Sequence, residues 1–173
     1  MTAPSIERRA VTGLQASGRT LTGYAAVFNQ EARIADFVEV IAPGAFAKSL
    51  ADGRDILALA DHDTRAVLGR TKSGTLALHE DSHGLAFSLR LPDTQHGRDL
   101  AALAARGDLG GMSFGFVATD EAWHGSRRVL REVELHEVSV VQAHAAYDNT
   151  TVSLRHRQEI HNPTARQWLE TCK

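Results

Sequence analysis

Apolar and polar residues alternate through most of the chain, from about Val11 to Val152, and turns containing glycine interrupt the alternation at short intervals. A period of two is typical of β-strands, in which successive side chains point to opposite faces of a sheet. The pattern predicts strands over residues 20–28, 37–41, 56–62, 67–71, 75–79, 85–91, 111–119, 127–133 and 135–142. Short turns separate the three segments between residues 67 and 91, which predicts two consecutive hairpins.

A few segments follow helical spacing instead. Phe46 and Leu50 lie four residues apart after a Pro-Gly pair, which predicts a short helix. A longer amphipathic helix is expected to begin after Thr94, a capping residue, and to end at Gly107. Another short helix is expected at about 165–170. The predicted fold class is mainly β with a few helices (α+β): a small, largely antiparallel β-barrel or curved sheet with helices on its outside.

Composition and charge exclude several classes of protein. The 173 residues include 19 Lys and Arg against 21 Asp and Glu, a formal net charge of −2, which argues against binding to nucleic acid through bulk positive charge. We expect no membrane span, because no segment approaches about 18 consecutive apolar residues. The N-terminus has no apolar signal segment, so a cytoplasmic protein is expected. The single cysteine, Cys172, excludes an internal disulfide and a cysteine-based metal site.

The first candidate for chemistry is Ser113, in a glycine-rich strand. Alternation places it on the other face of the strand from Phe114 and Phe116, with Gly111 and Gly115 as its neighbours on the same face. Because glycine weakens a strand, this clustering suggests that a substrate backbone approaches there, and Gly111 and Gly115 are candidate substrate-binding residues. The alternative is a flexible strand with an incidental serine.

The second candidate is His62, which lies between Asp61 and Asp63 where a predicted strand ends. A neutral imidazole is available near pH 7 as a general base, and a neighbouring carboxylate can fix its tautomer. The alternative is a surface histidine in a turn.

The third candidate is Glu137, within a strongly strand-forming run in which it shares a face with Leu135 and Ser139. A buried carboxylate without a partner would be costly, so we expect a histidine or an arginine beside it. The alternative is a solvated strand face on which a residue such as Arg131 pairs with Glu137.

Together these residues could supply the nucleophile, base and orienting acid of serine acyl transfer. The chain has no Gly-x-Ser-x-Gly motif, so an α/β-hydrolase is not favoured. A metal-dependent hydrolase using Asp61, His62 and Asp63 with His79 or His83 is a further alternative, but this spacing matches no established metal motif. We expect neither a metal nor another cofactor.

Five motifs, in this order and spacing, resemble the prohead maturation proteases of tailed bacteriophages, which are related to the herpesvirus assemblins. They are Gly23-Tyr24-Ala25-Ala26-Val27-Phe28-Asn29, Ile41-Ala42-Pro43-Gly44-Ala45-Phe46, Asp61-His62-Asp63 with the Leu68-Gly69-Arg70-Thr71 and Ser73-Gly74-Thr75-Leu76 that follow, Gly111-Met112-Ser113-Phe114-Gly115-Phe116, and Leu135-His136-Glu137-Val138-Ser139-Val140-Val141. The resemblance covers most of the chain.

The resemblance implies a serine endopeptidase on a small β-barrel surrounded by helices. Ser113 matches the family's nucleophile and His62 its general base. Glu137 is assigned as the orienting acid, with Asp63 as the alternative. The implied protease domain spans residues 20–152, after an N-terminal extension with a first strand (1–19) and before a C-terminal tail (153–173) that is flexible or removed by self-cleavage. The oxyanion donors are expected among backbone N–H groups near Ser113 or among Arg127, Arg128 and Arg131.

The resemblance also implies where such an enzyme acts. It would be enclosed in the immature capsid (the prohead) in the host cytoplasm, cleave the scaffold protein or the scaffolding segment of the major capsid protein, and then digest itself. The resemblance allows either a monomer or a homo-oligomer, and neither nucleic acid nor membrane is an expected partner. The alternative function is a non-catalytic assembly module that binds capsid or scaffold protein through a protease-like fold.

Overall fold

The computed structural model describes residues 5–12 and 14–143, which form eleven strands and two helices. In chain order these are β1 (Glu7–Val11), β2 (Gln15–Ser17), β3 (Thr20–Val27), β4 (Ala32–Ile34), β5 (Phe37–Ile41), α1 (Ala47–Ala51), β6 (Leu57–Ala60), β7 (Asp63–Arg70), β8 (Leu76–Glu80), β9 (Gly84–Arg90), α2 (Gln95–Arg106), β10 (Gly111–His124) and β11 (Arg127–Val141). Neither helix is long and apolar enough to cross a membrane. The predicted helix at 165–170 and the tail at 153–173 lie outside the described residues.

The strands form two sheets. The seven-stranded sheet has the order β1-β10-β11-β5-β4, with β6 beside β11 and β7 beside β6, and the four-stranded sheet has the order β2-β3-β9-β8. Most pairs are antiparallel, as predicted, but β5 and β6 both run parallel to β11 along the same edge. The mainly β class is confirmed. The barrel is not, because the described strands stay in two separate sheets that do not close.

The connection between β7 and β8 differs from the prediction. The sequence pattern predicts a hairpin between 67–71 and 75–79, yet β7 pairs with β6 and β8 pairs with β9 in the other sheet. The turn at Gly74 (φ +67°) therefore carries the chain from one sheet to the other. The predicted hairpin of 75–79 with 85–91 is confirmed as β8 and β9.

A β-bulge in β11 changes which side chains share a face. The two predicted strands 127–133 and 135–142 are one strand, in which Gly115 of β10 lies opposite Glu137 and Phe116 lies opposite Leu135. His136 is thus an extra residue. Leu135 turns into the core, whereas Glu137 stays on the outer face, so the prediction that these two side chains share a face is wrong.

The core lies between the sheets and contains a chain of aromatic rings. Phe46 packs on Phe28 and Phe114, and Phe114 stacks on Phe116. Because Phe114 and Phe116 point into this core, the alternate residues of β10 must face the other way. The outer face of β10 is therefore the face that carries Ser113.

The capping pattern predicted for the long helix is confirmed in α2. The Thr94 side chain accepts a hydrogen bond from the backbone N–H of Gly97 at 3.3 Å. Gly107 ends the helix in the left-handed region (φ 77°). Leu100 is buried on the inner side of α2.

An ionic cluster anchors the N-terminal strand β1. Arg9 donates from Nε to Glu39 Oε1 at 2.5 Å, and Arg128 donates from Nη1 to Glu39 Oε2 at 3.0 Å. All three side chains are buried, and Glu7 joins them through Arg128. Burial alone would raise the pKa of Glu7, but hydrogen bonds and charge from Arg128 and Arg9 outweigh it and lower that pKa. The cluster ties β1 to β5 and β11.

Candidate active site

His62 lies in a tight turn between β6 and β7. Ala60 pairs with Asp63, so Asp61 and His62 form a two-residue hairpin loop, and the predicted strand 56–62 ends at Ala60. Both loop residues have positive φ, 47° and 61°, which is typical of a type I′ turn. Residues other than glycine adopt this conformation at a cost, and such strain is concentrated at functional sites.

The imidazole of His62 contacts the carboxylate of Glu137. His62 Nδ1 lies 2.6 Å from Glu137 Oε1, with side-chain exposures of 21% and 9%. An ionised carboxylate can only accept, so Nδ1 carries the proton in this contact and Nε2 is left with its lone pair. Glu137 thereby fixes the tautomer that a general base requires.

Ser113 lies on the neighbouring strand and on the same face. Its backbone pairs with Ser139 of β11, two residues from Glu137, and the residue is only 3% exposed. Within the described residues, the hydrogen bonds of His62 go to Glu137 and Ser139, not to the Ser113 hydroxyl. That the imidazole activates the Ser113 hydroxyl stays a prediction.

Gly115 provides the space that the Glu137 carboxylate occupies. A Cβ atom at Gly115 would lie 2.5 Å from Glu137 Oε1, the same oxygen that contacts His62. The carboxylate of Glu137 thus explains why position 115 is a glycine. The role of Gly115 and Gly111 in binding substrate stays a prediction.

Arg8 is a further member of this site, and the sequence analysis does not predict it. It lies on β1 opposite Gly115, and its Nε is 3.7 Å from Glu137 Oε1. With 53% of its side chain exposed, the pair adds less than about 1 kcal/mol to stability, but it brings a positive charge to the carboxylate. No local pattern could place Arg8 in the site, because its position depends on the pairing of β1 with β10.

Asp63, the alternative orienting acid, is engaged elsewhere. Hydrogen bonds from Arg65 lower the pKa of Asp63 to about 2, and its nearest side-chain partner is Arg65 at 2.9 Å. Asp61 accepts from the backbone and the side chain of Gln142. The structure therefore brings Glu137, not Asp63 or Asp61, to the imidazole.

The three arginines expected near the oxyanion lie at the other end of β11. Arg128 belongs to the buried ionic cluster, Arg131 pairs with Asp120, and Arg127 pairs with Glu31. Arg131 is therefore not the partner of Glu137.

Residues 5–12 and 14–143 contain no group of three or more His, Cys, Asp or Glu side chains arranged to hold a metal ion. The chemistry available on this face is that of a hydroxyl, an imidazole with a fixed tautomer and a carboxylate. Such a combination suits the activation of a hydroxyl for attack on a carbonyl group.

A family model described as caudovirus prohead serine protease matches residues 4–164, most of the chain. The chain belongs to this family.

A solved structure shows a related fold. The capsid assembly protease of bacteriophage T4 superposes with a TM-score of 0.57 at 12% sequence identity, covering 81% of this chain and 98% of that one. At this identity the likeness concerns the fold alone. A comparison with curated protein sequences gives no significant match.

Proposed function

We propose that this protein is a serine endopeptidase that acts inside the prohead in the host cytoplasm. It cleaves the scaffold protein or the scaffolding segment of the major capsid protein during capsid maturation, and finally cleaves itself. Membership of the prohead serine protease family supports this substrate class. The contact between His62 Nδ1 and Glu137 Oε1 at 2.6 Å, on the face that carries Ser113, is the observation that supports the mechanism most directly.

In this mechanism Ser113 Oγ attacks the peptide carbonyl while His62 Nε2 takes the hydroxyl proton. Glu137 holds the ring and stabilises the imidazolium that forms. His62 then gives the proton to the leaving amine, and an acyl-enzyme on Ser113 remains. Water, activated by the same imidazole, hydrolyses the acyl-enzyme and restores the serine.

The direct test is covalent labelling of Ser113 together with cleavage of the capsid and scaffold proteins of the same phage. The wild type is expected to react with a fluorophosphonate, with the adduct mapped by mass spectrometry to the peptide containing Ser113, and to cut at least one of the two proteins. Ser113→Ala is expected to do neither. Ser88→Ala is a matched control, because Ser88 is an exposed strand serine in the other sheet.

Cleavage by Ser113→Ala at the wild-type rate would refute the serine mechanism. If the wild type neither reacts nor cuts but binds either protein, the chain is the non-catalytic assembly module instead. Shortened forms of the protease that accumulate with the wild type and not with Ser113→Ala would establish self-cleavage.

Gly115→Ala is expected to impair catalysis without touching a reacting group. The new methyl would lie 2.5 Å from Glu137 Oε1, so the carboxylate must shift away from position 115, and this shift disturbs its contact with His62 Nδ1. A displacement of about 1 Å can cost roughly 100-fold in rate, and we expect a fall of this size in kcat with little change in KM. Steady-state hydrolysis of a fluorogenic peptide spanning the cleavage site measures both constants. An unchanged kcat would show that Glu137 need not occupy this position.

A further inference from the structure

Ser139 forms hydrogen bonds with both His62 and Glu137. It lies on β11 opposite Ser113 and is fully buried, with 0% of its side chain exposed. Its Oγ accepts a hydrogen bond from the backbone N–H of His62 at 3.2 Å and donates one to Glu137 Oε2 at 2.6 Å. The mechanism proposed above assigns no role to Ser139.

The direction of these two bonds is determined by chemistry. The backbone N–H of His62 can only donate, so Ser139 Oγ is the acceptor there and its own proton is free for the carboxylate. Glu137 then accepts one hydrogen bond at each oxygen, from His62 at Oε1 and from Ser139 at Oε2. A carboxylate held at both oxygens cannot rotate without losing one of these bonds.

The same hydroxyl supports the strained turn. Asp61 and His62 are both in the left-handed region, which residues other than glycine adopt only at a cost in free energy. The turn is held against β11 by the backbone bond from Asp61 to Val140 and by the bond from His62 to Ser139. Loss of the Ser139 hydroxyl would leave the partly buried N–H of the strained residue His62 without its acceptor.

We propose that Ser139 is a positioning residue that sets the orientation of both His62 and Glu137. It does not touch the substrate. It fixes the backbone of His62 through one bond and the carboxylate of Glu137 through the other, so that Nδ1 and Oε1 stay aligned. This inference rests on the proposed protease function for its kinetic consequence, while its structural consequence can be measured without substrate.

The test compares Ser139→Ala and Ser139→Cys with the wild type. Cysteine nearly preserves the side-chain volume but is a weak donor and acceptor, so it separates the hydrogen bonds from packing. Both variants are expected to lower kcat by roughly 10- to 100-fold with KM changed by less than about threefold. In proton NMR spectra, the low-field signal of the His62 Nδ1 proton, assigned by its absence in Glu137→Gln, is expected to disappear or broaden.

Ser49→Ala is the matched control. Ser49 is also buried and accepts from a backbone N–H of β11, that of Leu135 at 2.8 Å, but it lies outside the site. The Ser49→Ala variant is expected to lose about as much thermal stability as Ser139→Ala, but to keep the NMR signal and the kcat of the wild type. A wild-type signal and kcat in either Ser139 variant, or an equal loss in Ser49→Ala, would overturn the proposal. If the wild type hydrolyses no peptide, the protease function fails, and the NMR comparison alone still decides the role of Ser139.

Discussion

Replacement of His62 by glycine or by alanine is expected to lower the rate of peptide hydrolysis by roughly 10⁴-fold or more, since both remove the proposed general base. The two variants are expected to differ in stability. His62 has φ 61°, a conformation that glycine adopts without penalty and alanine does not. The glycine variant should therefore unfold at a higher denaturant concentration than the alanine variant. The expected difference in the free energy of unfolding is about 1 kcal/mol.

The comparison between glycine and alanine isolates the backbone strain, because both variants lose the same contact with Glu137. Hydrolysis of the capsid or scaffold protein gives the activity, and urea unfolding gives the stability. His83→Ala is a suitable control, since His83 also lies in a turn but packs on Tyr24 away from the site. Full activity in either His62 variant would exclude His62 as the base, and equal stability of the two would show that the turn relaxes.

Glu137→Gln is expected to cost roughly 10⁴-fold in kcat while the fold is retained, by analogy with the loss of the orienting acid in other serine triads. The carboxylate accepts from His62 at one oxygen and from Ser139 at the other. An amide has a single oxygen, so one of the two donors must lose its acceptor. If the amide nitrogen faces the imidazole, the ring takes the other tautomer, with the proton on Nε2, and cannot act as the base.

Asp63→Asn is the matched substitution for Glu137→Gln. Asp63 is an exposed carboxylate that pairs with Arg65, so its loss is expected to change kcat by less than a few fold. Both variants are measured with the same peptide substrate and the same circular dichroism check of folding. A collapse of activity in Asp63→Asn with a near-normal Glu137→Gln would reverse the assignment of the orienting acid.

The features that could be predicted from the sequence depend on local pattern. Alternation placed Ser113 and Phe114 on opposite faces of the strand. The caps of α2 are set by Thr94 and Gly107, which directly flank the helix. The cost of an unpaired carboxylate was enough to require a partner for Glu137. These predictions depend only on the local sequence, whereas the identity of the partner of Glu137, which is 75 positions away, did not follow from it.

The features that could not be predicted depend on pairing between distant segments. Arg8 enters the site because β1 lies beside β10, and no local pattern specifies that partner. The bulge at His136 appears only when β11 is aligned with β10. The turn at Gly74 has the same residues whether the chain forms a hairpin or passes to another sheet, so the local pattern could not distinguish β7 pairing with β6 from β7 pairing with β8.

The position of β1 also bears on the order in which the larger sheet can form during synthesis of the chain. Glu7 pairs with Phe116, and β10 in turn pairs with β11, which ends at Val141. The ribosome therefore makes the first strand of this sheet long before the strands on which it packs, and contacts between segments so far apart form slowly. A nascent chain that ends before β11 lacks Glu137 and Ser139 and has no partner for His62. The contact between His62 and Glu137 therefore forms only after β11 has been synthesised.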